Sequence, residues 1–363
     1  MRLVTAKDLV WAAWSPTATL VYSHGQVETA AQVLSHNIDA DWRFFSKLYR
    51  WDDETLLLRV GDRRGTSLFE AKRDEPFQPV KDWPDVLVSL PPNEIIPGRN
   101  GDVAGMGPSR HLTVWKRGQS SNVYTLPEGF TVTDLEWDRR NRLWICGAGP
   151  TDQLKSLKYR RAFAVSKDDG SWSISEIVHG GFKVSWRSLL SGAEETYRKI
   201  NLVNDYVVLS AETDDLENIS TFLFVKDAHG KWESGTLDGD VLRAVLPAPN
   251  GGVEIISHYG QSVLIRPGEK WHHRSLVPRI NKVIQGVNAR TLHKTRYEIL
   301  DAQVAFSGEL VLVVSLRLPK ENQLLRAGEA VVILGDETDR LITFHNEEEP
   351  EIITAGGLQW TRA

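Results

Sequence analysis

Cysteine and long apolar runs are nearly absent from this chain of 363 residues. Cys146 is the only cysteine, which excludes an internal disulfide and fits a reducing compartment. No run approaches the roughly 18 apolar residues that indicate a membrane span. The first apolar segment, Leu9 to Trp14, is too short for the core of a signal peptide. The sequence therefore predicts a cytoplasmic protein without a membrane partner.

An excess of either charge is also lacking. The 43 basic and 48 acidic residues give a net charge of −5, which predicts no general affinity for nucleic acid. The signatures HExxH, GxSxG, the P-loop and CxxC do not occur, so common zinc, serine-hydrolase, nucleotide and redox sites find no support. His272 and His273 are adjacent, and on a strand they would point to opposite faces. We expect no catalytic residue, no metal site and no cofactor.

What the chain does contain is a repeated hairpin pattern. Residues 162–177 (AFAVSKDDGSWSISEI), 221–237 and 262–276 each combine an apolar run, a polar turn with a glycine, a tryptophan and a second strand-like run. Such a repeat indicates an array of β-sheet units. The tryptophans occupy one position of the repeat, so we predict that they pack between neighbouring units. They are Trp172, Trp232 and Trp271.

A second repeated element, a polar turn followed by a β-branched run, precedes most of these hairpins. Two linked hairpins form a four-stranded antiparallel sheet, which is one blade of a β-propeller. The sequence predicts an all-β fold, a single propeller domain over residues 1–363 with seven blades, and the spacing also permits six or eight. We predict that Arg2 to Thr5 or Glu351 to Thr354 adds a strand to the blade at the other end of the chain. The predicted blades span residues 9–41, 42–84, 86–128, 130–180, 183–240, 241–280 and 296–350.

Two short segments resemble known propeller repeats. Ser166 to Trp172 (SKDDGSW) resembles the Asp-box turn of sialidase-type propellers, and Asp227 to Trp232 is a looser copy. The segment 132–149 (VTDLEWDRRNRLWICGAG) is similar to repeats of bacterial sensor propellers. These resemblances imply the propeller fold. They imply no catalytic residue, because Asp-boxes are structural and the arginine triad of sialidases is not found.

Two basic stretches interrupt or join the predicted blades. Residues 278–296 contain five Arg or Lys residues and no Asp or Glu, and residues 155–161 (KSLKYRR) lie within the fourth unit. We expect both to be loops, where binding residues of a rigid scaffold tend to lie, although a solvated surface gives the same pattern. The candidate partner-binding residues are Arg279, Lys282, Arg290, Lys294, Arg296, Lys155, Lys158, Arg160 and Arg161.

Three further features complete the predictions. His24 and His258 occupy equivalent repeat positions, so they either line one end of a central channel or hydrogen-bond within their blades. Cys146 alternates with apolar residues of a strand buried on both faces, which predicts an inert core thiol. Residues Ser188 to Lys199 follow a helical pattern.

Three functions are compatible with these features. The first is a non-enzymatic propeller that binds a protein partner, in its specific form a monomeric bacterial immunity or antitoxin-like protein that occludes a toxin or effector. The second is a hydrolase or lyase for a sugar or lactone, with convergent carboxylates or histidines in the central channel. The third is the sensor module of a signalling system.

Overall fold

The structure is a computed structural model, which describes the chain in segments. Those segments are residues 2–6, 9–14, 18–23, 26–29, 45–50, 55–62, 65–72, 78–80, 95–97, 102–106, 111–116, 122–149, 161–167, 170–175, 198–212, 220–285, 296–305, 308–320, 323–336, 338–343 and 351–354.

The described residues form 29 strands in seven antiparallel sheets, in which strands that follow one another in the chain pair with each other. The first sheet contains β1 (Arg2–Ala6), β2 (Leu9–Trp14), β3 (Ala18–Ser23) and β4 (Gln26–Thr29). The second contains β5 (Phe45–Arg50), β6 (Thr55–Asp62), β7 (Gly65–Lys72) and β8 (Gln78–Pro79). The third contains β9 (Ile95–Pro97), β10 (Asp102–Met106), β11 (His111–Lys116) and β12 (Asn122–Thr125).

The next two sheets carry the clearest sequence repeats. The fourth contains β13 (Thr131–Trp137), β14 (Leu143–Ala148), β15 (Arg161–Ser166) and β16 (Trp172–Ser175). The fifth contains β17 (Lys199–Val203), β18 (Tyr206–Glu212), β19 (Thr221–Lys226) and β20 (Trp232–Leu237).

The described helix lies between the last two sheets in the order of the chain. The sixth contains β21 (Leu242–Pro247), β22 (Val253–Ser257), β23 (Gln261–Ile265) and β24 (His272–Ser275). A short 3-10 helix, Pro249–Gly251, joins β21 to β22, and helix α1 (Val277–Gln285) follows β24. The seventh sheet has five strands, β25 (Arg296–Val304), β26 (Leu310–Lys320), β27 (Gln323–Leu334), β28 (Asp339–Thr343) and β29 (Glu351–Thr354).

The chain divides into two compact units. The first comprises Met1–Trp83, Ile255–Val263 and His273–Ala363, and the second comprises Pro84–Glu254 and Leu264–His272. In the second unit, β13 lies beside β9 and β17, and β17 also lies beside β21; in the first unit, β1 lies beside β5 and β25. First strands that adjoin one another in this way are typical of radially repeated sheets. The predicted blade count, blade spans and single domain stay predictions.

The expected exchange of a strand between the two ends of the chain is wrong. Strand β1 pairs with β2 of its own sheet, with Ala6 opposite Leu9, and β29 pairs with β28 of the last sheet. Only two residues separate β1 from β2, so this hairpin closes at a far smaller entropic cost than pairing with the distant end of the chain. The C-terminal run consequently adds a fifth strand to its own sheet.

The core of the second unit lies between consecutive sheets. One cluster joins Leu112 and Val114 of β11 to Ile145 of β14 and Ala164 of β15. The next joins residues of β14 and β15 to Leu209 and Phe224 of the fifth sheet, and it includes the buried thiol of Cys146. All six residues of β14 are buried, which confirms the predicted two-sided burial of this strand.

A five-residue turn recurs between paired strands. It occurs at residues 138–142, 227–231 and 305–309. In each case the amide of the first residue donates to the carbonyl of the fifth residue, and the amide of the fourth residue donates to the carbonyl of the first. The fourth residue has a positive φ, 58° at Asn141 and 84° at Gly230. This is the three-residue hairpin loop that ends in a left-handed residue, for which glycine and asparagine are suited. The glycine at the centre of the sequence repeat is therefore explained by backbone geometry.

The three repeated tryptophans contact the preceding sheet, as predicted. The indole Nε1 of Trp172 donates to the Thr125 carbonyl of β12 at 3.0 Å. The ring of Trp232 lies 5.6 Å from that of Phe163 in β15, measured between centroids. The indole Nε1 of Trp271 donates to Glu233 Oε2 of β20 at 3.1 Å. Each of these side chains is partly buried, so they join neighbouring sheets and do not act as open stacking platforms.

The predicted helix and the observed helix lie in different places. Most of Ser188 to Lys199 lies outside the described residues, and Lys199 itself begins strand β17, contrary to the prediction. Helix α1 covers residues 277–285, and so replaces the first part of the loop that was expected over residues 278–296. The physical reason is the apolar spacing of Leu276, Ile280, Val283 and Ile284, all buried, which places one apolar stripe on the helix. No helix in the described parts of the chain is long and apolar enough to cross a membrane.

Candidate functional site: the basic helix and its neighbours

Helix α1 carries the first two predicted partner-binding residues, Arg279 and Lys282. The helix lies against strands β27 and β28 of the last sheet. The residues of its apolar stripe are buried, and Arg279 and Lys282 are exposed. Pro278 stands in the first turn, where its missing amide N–H has no helical partner to lose. The amide of Val277 donates to Ser275 Oγ at 3.3 Å, which satisfies one of the first N–H groups.

Arg279 fixes the helix to the last sheet. Its Nη2 donates to the Gly335 carbonyl at 2.6 Å, and its guanidinium forms two hydrogen bonds to the carboxylate of Asp339. A planar guanidinium that spans a carboxylate and a carbonyl holds its geometry better than a lysine ammonium would. Arg279 is half-exposed and holds the helix to the last sheet. Lys282 is the other cationic residue of the helix, and its side chain is exposed.

The remaining residues of this basic connection fall beyond the helix. Arg290 and Lys294 lie outside the described residues. Arg296 is the first residue of β25 and pairs with Arg317, so it belongs to a strand and the loop predicted to extend through it ends earlier. The pairing of β25 with β26 runs from Arg296 opposite Arg317 to Val304 opposite Leu310, with a register shift between Ile299 and Asp301.

The second basic stretch gives a different result. Lys155, Lys158 and Arg160 lie outside the described residues. Arg161, predicted to be on a surface loop, is instead buried as the first residue of β15. Its guanidinium carbon lies 5.1 Å from the ring centroid of Phe224 in the fifth sheet. A guanidinium can be buried against an aromatic face because it is weakly hydrated and attracted by the ring. Arg161 thus contributes to the packing of two sheets.

His258 is a buried residue at the end of β22, whereas His24 lies outside the described residues. The amide of Ile299 in β25 donates to the His258 carbonyl at 2.8 Å, and His258 Nδ1 lies 3.1 Å from the Ile299 carbonyl. A carbonyl can only accept, so Nδ1 carries the proton in this contact. The imidazole thus bonds to the neighbouring sheet, and the two alternatives for His258, a channel residue or a hydrogen bond within its blade, stay predictions.

The other imidazole nitrogen of His258 faces a carboxylate that the sequence did not reveal. Nε2 lies 3.4 Å from Oε1 of Glu298, and both side chains are largely buried. Glu298 is forty residues further along the chain, so sequence proximity gave no signal. The contact at Nδ1 orients the ring so that Nε2 faces the carboxylate.

Other chemistry-bearing side chains in the second unit support its structure. Burial alone would raise the pKa of Asp138, but hydrogen bonds from the Arg142 amide, the Trp144 indole and the Arg142 guanidinium outweigh it and lower the pKa. Burial raises the pKa of the Cys146 thiol far above its usual range, as an inert core thiol requires. Among the described residues, no group of three or more His, Cys, Asp or Glu side chains is arranged to hold a metal ion.

No protein-family model and no curated protein matches this chain. YCF48 from Cyanidioschyzon merolae has a TM-score of 0.50 and 7% identity, covering 86% of this chain and 92% of its own. The WD40 β-propeller domain of Doa1 has a TM-score of 0.47 and 12% identity over 86% and 88%. The polysaccharide lyase Uly1 has a TM-score of 0.41 and 11% identity over 79% and 85%. The chain has the β-propeller fold that its repeats predict, and at these identities the similarity shows the fold alone.

Proposed function

We propose that this β-propeller binds a protein partner and catalyses no reaction. The observation that carries the proposal is helix α1, a cationic element at the connection between two sheets. Its buried stripe and the Arg279 clamp hold it on the last sheet, so Lys282 is presented on a rigid support. Binding residues are frequent on connections that a rigid scaffold positions. Preorganisation lowers the entropic cost of association.

The surface that we assign to the partner is centred on the basic connection after β24. Lys282 is its described member, and Arg290, Lys294 and Arg296 extend it along the chain. The second basic stretch, with Lys155, Lys158 and Arg160, is a further part of the proposal. Arg161 is excluded from it, because this side chain is buried against Phe224.

The finer form of the proposal is a monomeric, cytoplasmic, bacterial immunity protein that occludes a toxin or effector. A single buried cysteine, compatible with a reducing compartment, supports the location. The lack of common catalytic signatures in the sequence supports inhibition by steric cover in preference to chemistry.

Affinity purification from native cells, followed by titration of the purified partner, tests this function. We expect one stoichiometric protein partner. A variant with Lys282, Arg290, Lys294 and Arg296 changed to Ala should bind it at least tenfold more weakly, or about 1.4 kcal/mol, with a smaller salt dependence. Arg279 is retained because it holds the helix, and Lys270→Ala on an exposed turn serves as the control. The absence of any stoichiometric partner would contradict the proposal.

One observation favours a second candidate, a hydrolase or lyase for a sugar or lactone. His258 and Glu298 converge from different sheets with Nε2 and Oε1 3.4 Å apart. An imidazole and a carboxyl group are the pair that general acid and base catalysis uses. Incubation with a panel of polysaccharides and lactones should then give turnover that Glu298→Gln removes without lowering the melting temperature. Failure of the wild-type protein to turn over any member of the panel would exclude this candidate for those substrate classes.

A further inference from the structure

Three arginines lie side by side at one end of the seventh sheet. Arg296 of β25 is opposite Arg317 of β26, and Arg317 is opposite Arg326 of β27. Residues directly opposite one another share a face of the sheet, and like charges in this position destabilise the pairing. We call these three residues the arginine row. Only Arg296 was among the predicted partner-binding residues, because the row is formed by strand register and not by a local pattern.

Two glutamates lie near the arginine row. Glu298 and Glu329 are both opposite Ser315, which is the second residue before Arg317 on β26. Two residues of an antiparallel strand span roughly 7 Å, which is the separation of this level from the row. Oε1 of Glu298 already faces Nε2 of His258 at 3.4 Å. Even when both glutamates are counted, three cations stand beside two carboxylates, so this end of the sheet keeps a positive excess.

Other charges near the row in the sequence do not remove this excess. Lys320 ends β26, and Glu321, the next residue in the sequence, carries the opposite charge. The acidic run of Glu347, Glu348 and Glu349 follows β28 in the chain and lies outside the described residues. A test of the arginine row must therefore include this run as a competing ligand.

The length of the row matches one face of an α-helix. Neighbouring strands lie about 4.7–4.9 Å apart, so the row spans about 9.5 Å across three strands. On a helix, residues at i, i+4 and i+7 share one face, and the first and last are separated by about 10.5 Å along the axis. Three residues on one face of an extended segment span about 13 Å, which is longer than the row. A helix that lies across the strands therefore fits the three arginines better than an extended segment does.

We infer that the arginine row binds the acidic face of an α-helix from a partner protein. Carboxylates at i, i+4 and i+7 of that helix each accept hydrogen bonds from one guanidinium, whose planar shape suits a carboxylate. The bound carboxylates also offset the repulsion between the opposed arginines, so binding stabilises the sheet. The inference rests on the proposed protein-binding function and deepens it by naming the chemistry of the partner and the residues that receive it.

A designed helical peptide tests the row with a defined probe. The striped peptide is alanine-based, has about 20 residues so that it is helical in water, and carries glutamates at i, i+4 and i+7. A redistributed peptide has the same composition with its glutamates placed around the helix, and a neutral peptide has glutamine in their place. In fluorescence anisotropy, the wild-type protein should bind the striped peptide at least about tenfold more tightly than either match.

Arg317 is the centre of the row and the most informative residue to change. Arg317→Gln should weaken binding of the striped peptide at least about tenfold and reduce its salt dependence. It should not lower the melting temperature, because it removes a cation that is opposite two others. Arg326→Gln repeats the test at the end of the row if Arg317→Gln proves unstable. Lys270→Gln, on an exposed turn of the sixth sheet, is the control and should leave peptide binding unchanged.

The acidic run of the chain itself is tested by a separate variant. Changing Glu347, Glu348 and Glu349 together to Gln removes a competing ligand of the row. This variant should bind the striped peptide at least as tightly as the wild-type protein does, and Arg317→Gln should weaken binding in this background too.

Three results would overturn the inference. One is equal affinity of the wild-type protein for the striped and redistributed peptides, since general attraction between charges would then explain the binding. Another is equal affinity of folded Arg317→Gln and the wild-type protein for the striped peptide. The third is a duplex RNA that binds more tightly than the striped peptide and loses this binding in Arg317→Gln, which would make the row a nucleic-acid site.

A native partner separates this inference from the proposed function. If such a partner binds the wild-type protein and Arg317→Gln equally, protein binding stands and the row is not its site. If no native partner exists but the peptide results hold, the proposed function fails while the row remains a site for acidic helices.

Discussion

Gly235 in β20 occupies a position where any larger residue would collide with Trp271. A Cβ built on Gly235 would lie 2.2 Å from Cζ3 and 2.8 Å from Cε3 of the Trp271 indole. Both atoms belong to a rigid ring, and the ring is further held by its hydrogen bond to Glu233. Gly235→Ala should therefore displace the indole and lower the free energy of unfolding by about 1–3 kcal/mol, the usual cost of overpacking.

The same substitution should behave in the opposite way once the indole is removed. In a Trp271→Ala background no ring opposes the new methyl group, and alanine is favoured over glycine in a strand by about 0.5–1 kcal/mol. The interaction energy between the two substitutions, obtained from the double-mutant cycle, should thus be about 2 kcal/mol, which lies within the range found for residues in contact. Trp271→Ala alone should destabilise the protein by less than the 3–5 kcal/mol of a fully buried tryptophan, since this side chain is only partly buried.

Urea unfolding of the wild-type protein, the two single variants and the double variant, followed by circular dichroism, measures this coupling. Ser234→Ala is the matched control, because Ser234 is the exposed neighbour on the same strand and should change stability by less than about 0.5 kcal/mol. If Gly235→Ala destabilises the protein equally with and without the indole, the contact between these two residues is not the cause, and the reasoning is refuted.

Three further predictions concern single side chains. Arg279→Ala should remove the hydrogen bonds to Asp339 and Gly335 and lower the free energy of unfolding by about 1 kcal/mol. Amide hydrogen exchange in residues 277–285 should become faster, and Arg279→Lys should restore only part of the protection. The pKa of Asp138 in the folded protein lies below its usual 3.8. The stabilisation of the fold by the ionised carboxylate is therefore complete above pH 3.8 and is lost as the pH falls through the folded-state pKa. In acid unfolding titrations, the difference in free energy of unfolding between the wild-type protein and Asp138→Asn should shrink over the same pH range. Cys146 should resist a thiol reagent at mildly alkaline pH in the native protein and react at once in urea, and labelling of the native protein would contradict its burial.

The sheets were predictable because their signal is local and repeated. An apolar run, a glycine turn and a tryptophan lie within about fifteen residues, and the hairpins that they indicate are the pairs seen in the fourth, fifth and sixth sheets. The contact that each tryptophan makes with the preceding sheet also followed from the repeat, because side chains at one repeat position share one environment.

The helix was missed although its signal was present. Leu276, Ile280, Val283 and Ile284 have helical spacing, but the basic residues between them favoured a loop. Arg161 was assigned to the surface for a related reason, since three neighbouring cations suggested a solvated run. In both cases the prediction relied on the number of charged residues. Burial follows the periodicity of the apolar residues instead, and that periodicity was given too little weight.

The contacts of the candidate site lay beyond sequence reasoning. His258 meets Glu298 and Ile299, and Arg279 meets Asp339 sixty residues away. No local pattern connects such positions in a single sequence. They meet because consecutive sheets pack side by side, which the repeats indicate without showing which residues become neighbours.

The tryptophan contacts of the second unit imply an order of folding during synthesis. Trp172, Trp232 and Trp271 each follow the third strand of their sheet, and each contacts a sheet that was translated earlier. A sheet can therefore dock as soon as its last strand leaves the ribosome, without waiting for the sheets that follow. During growth from the N-terminal side, the apolar face that each sheet leaves open is covered when the next sheet docks. The position of one aromatic residue in the repeat thus gives this part of the chain a direction in which to fold.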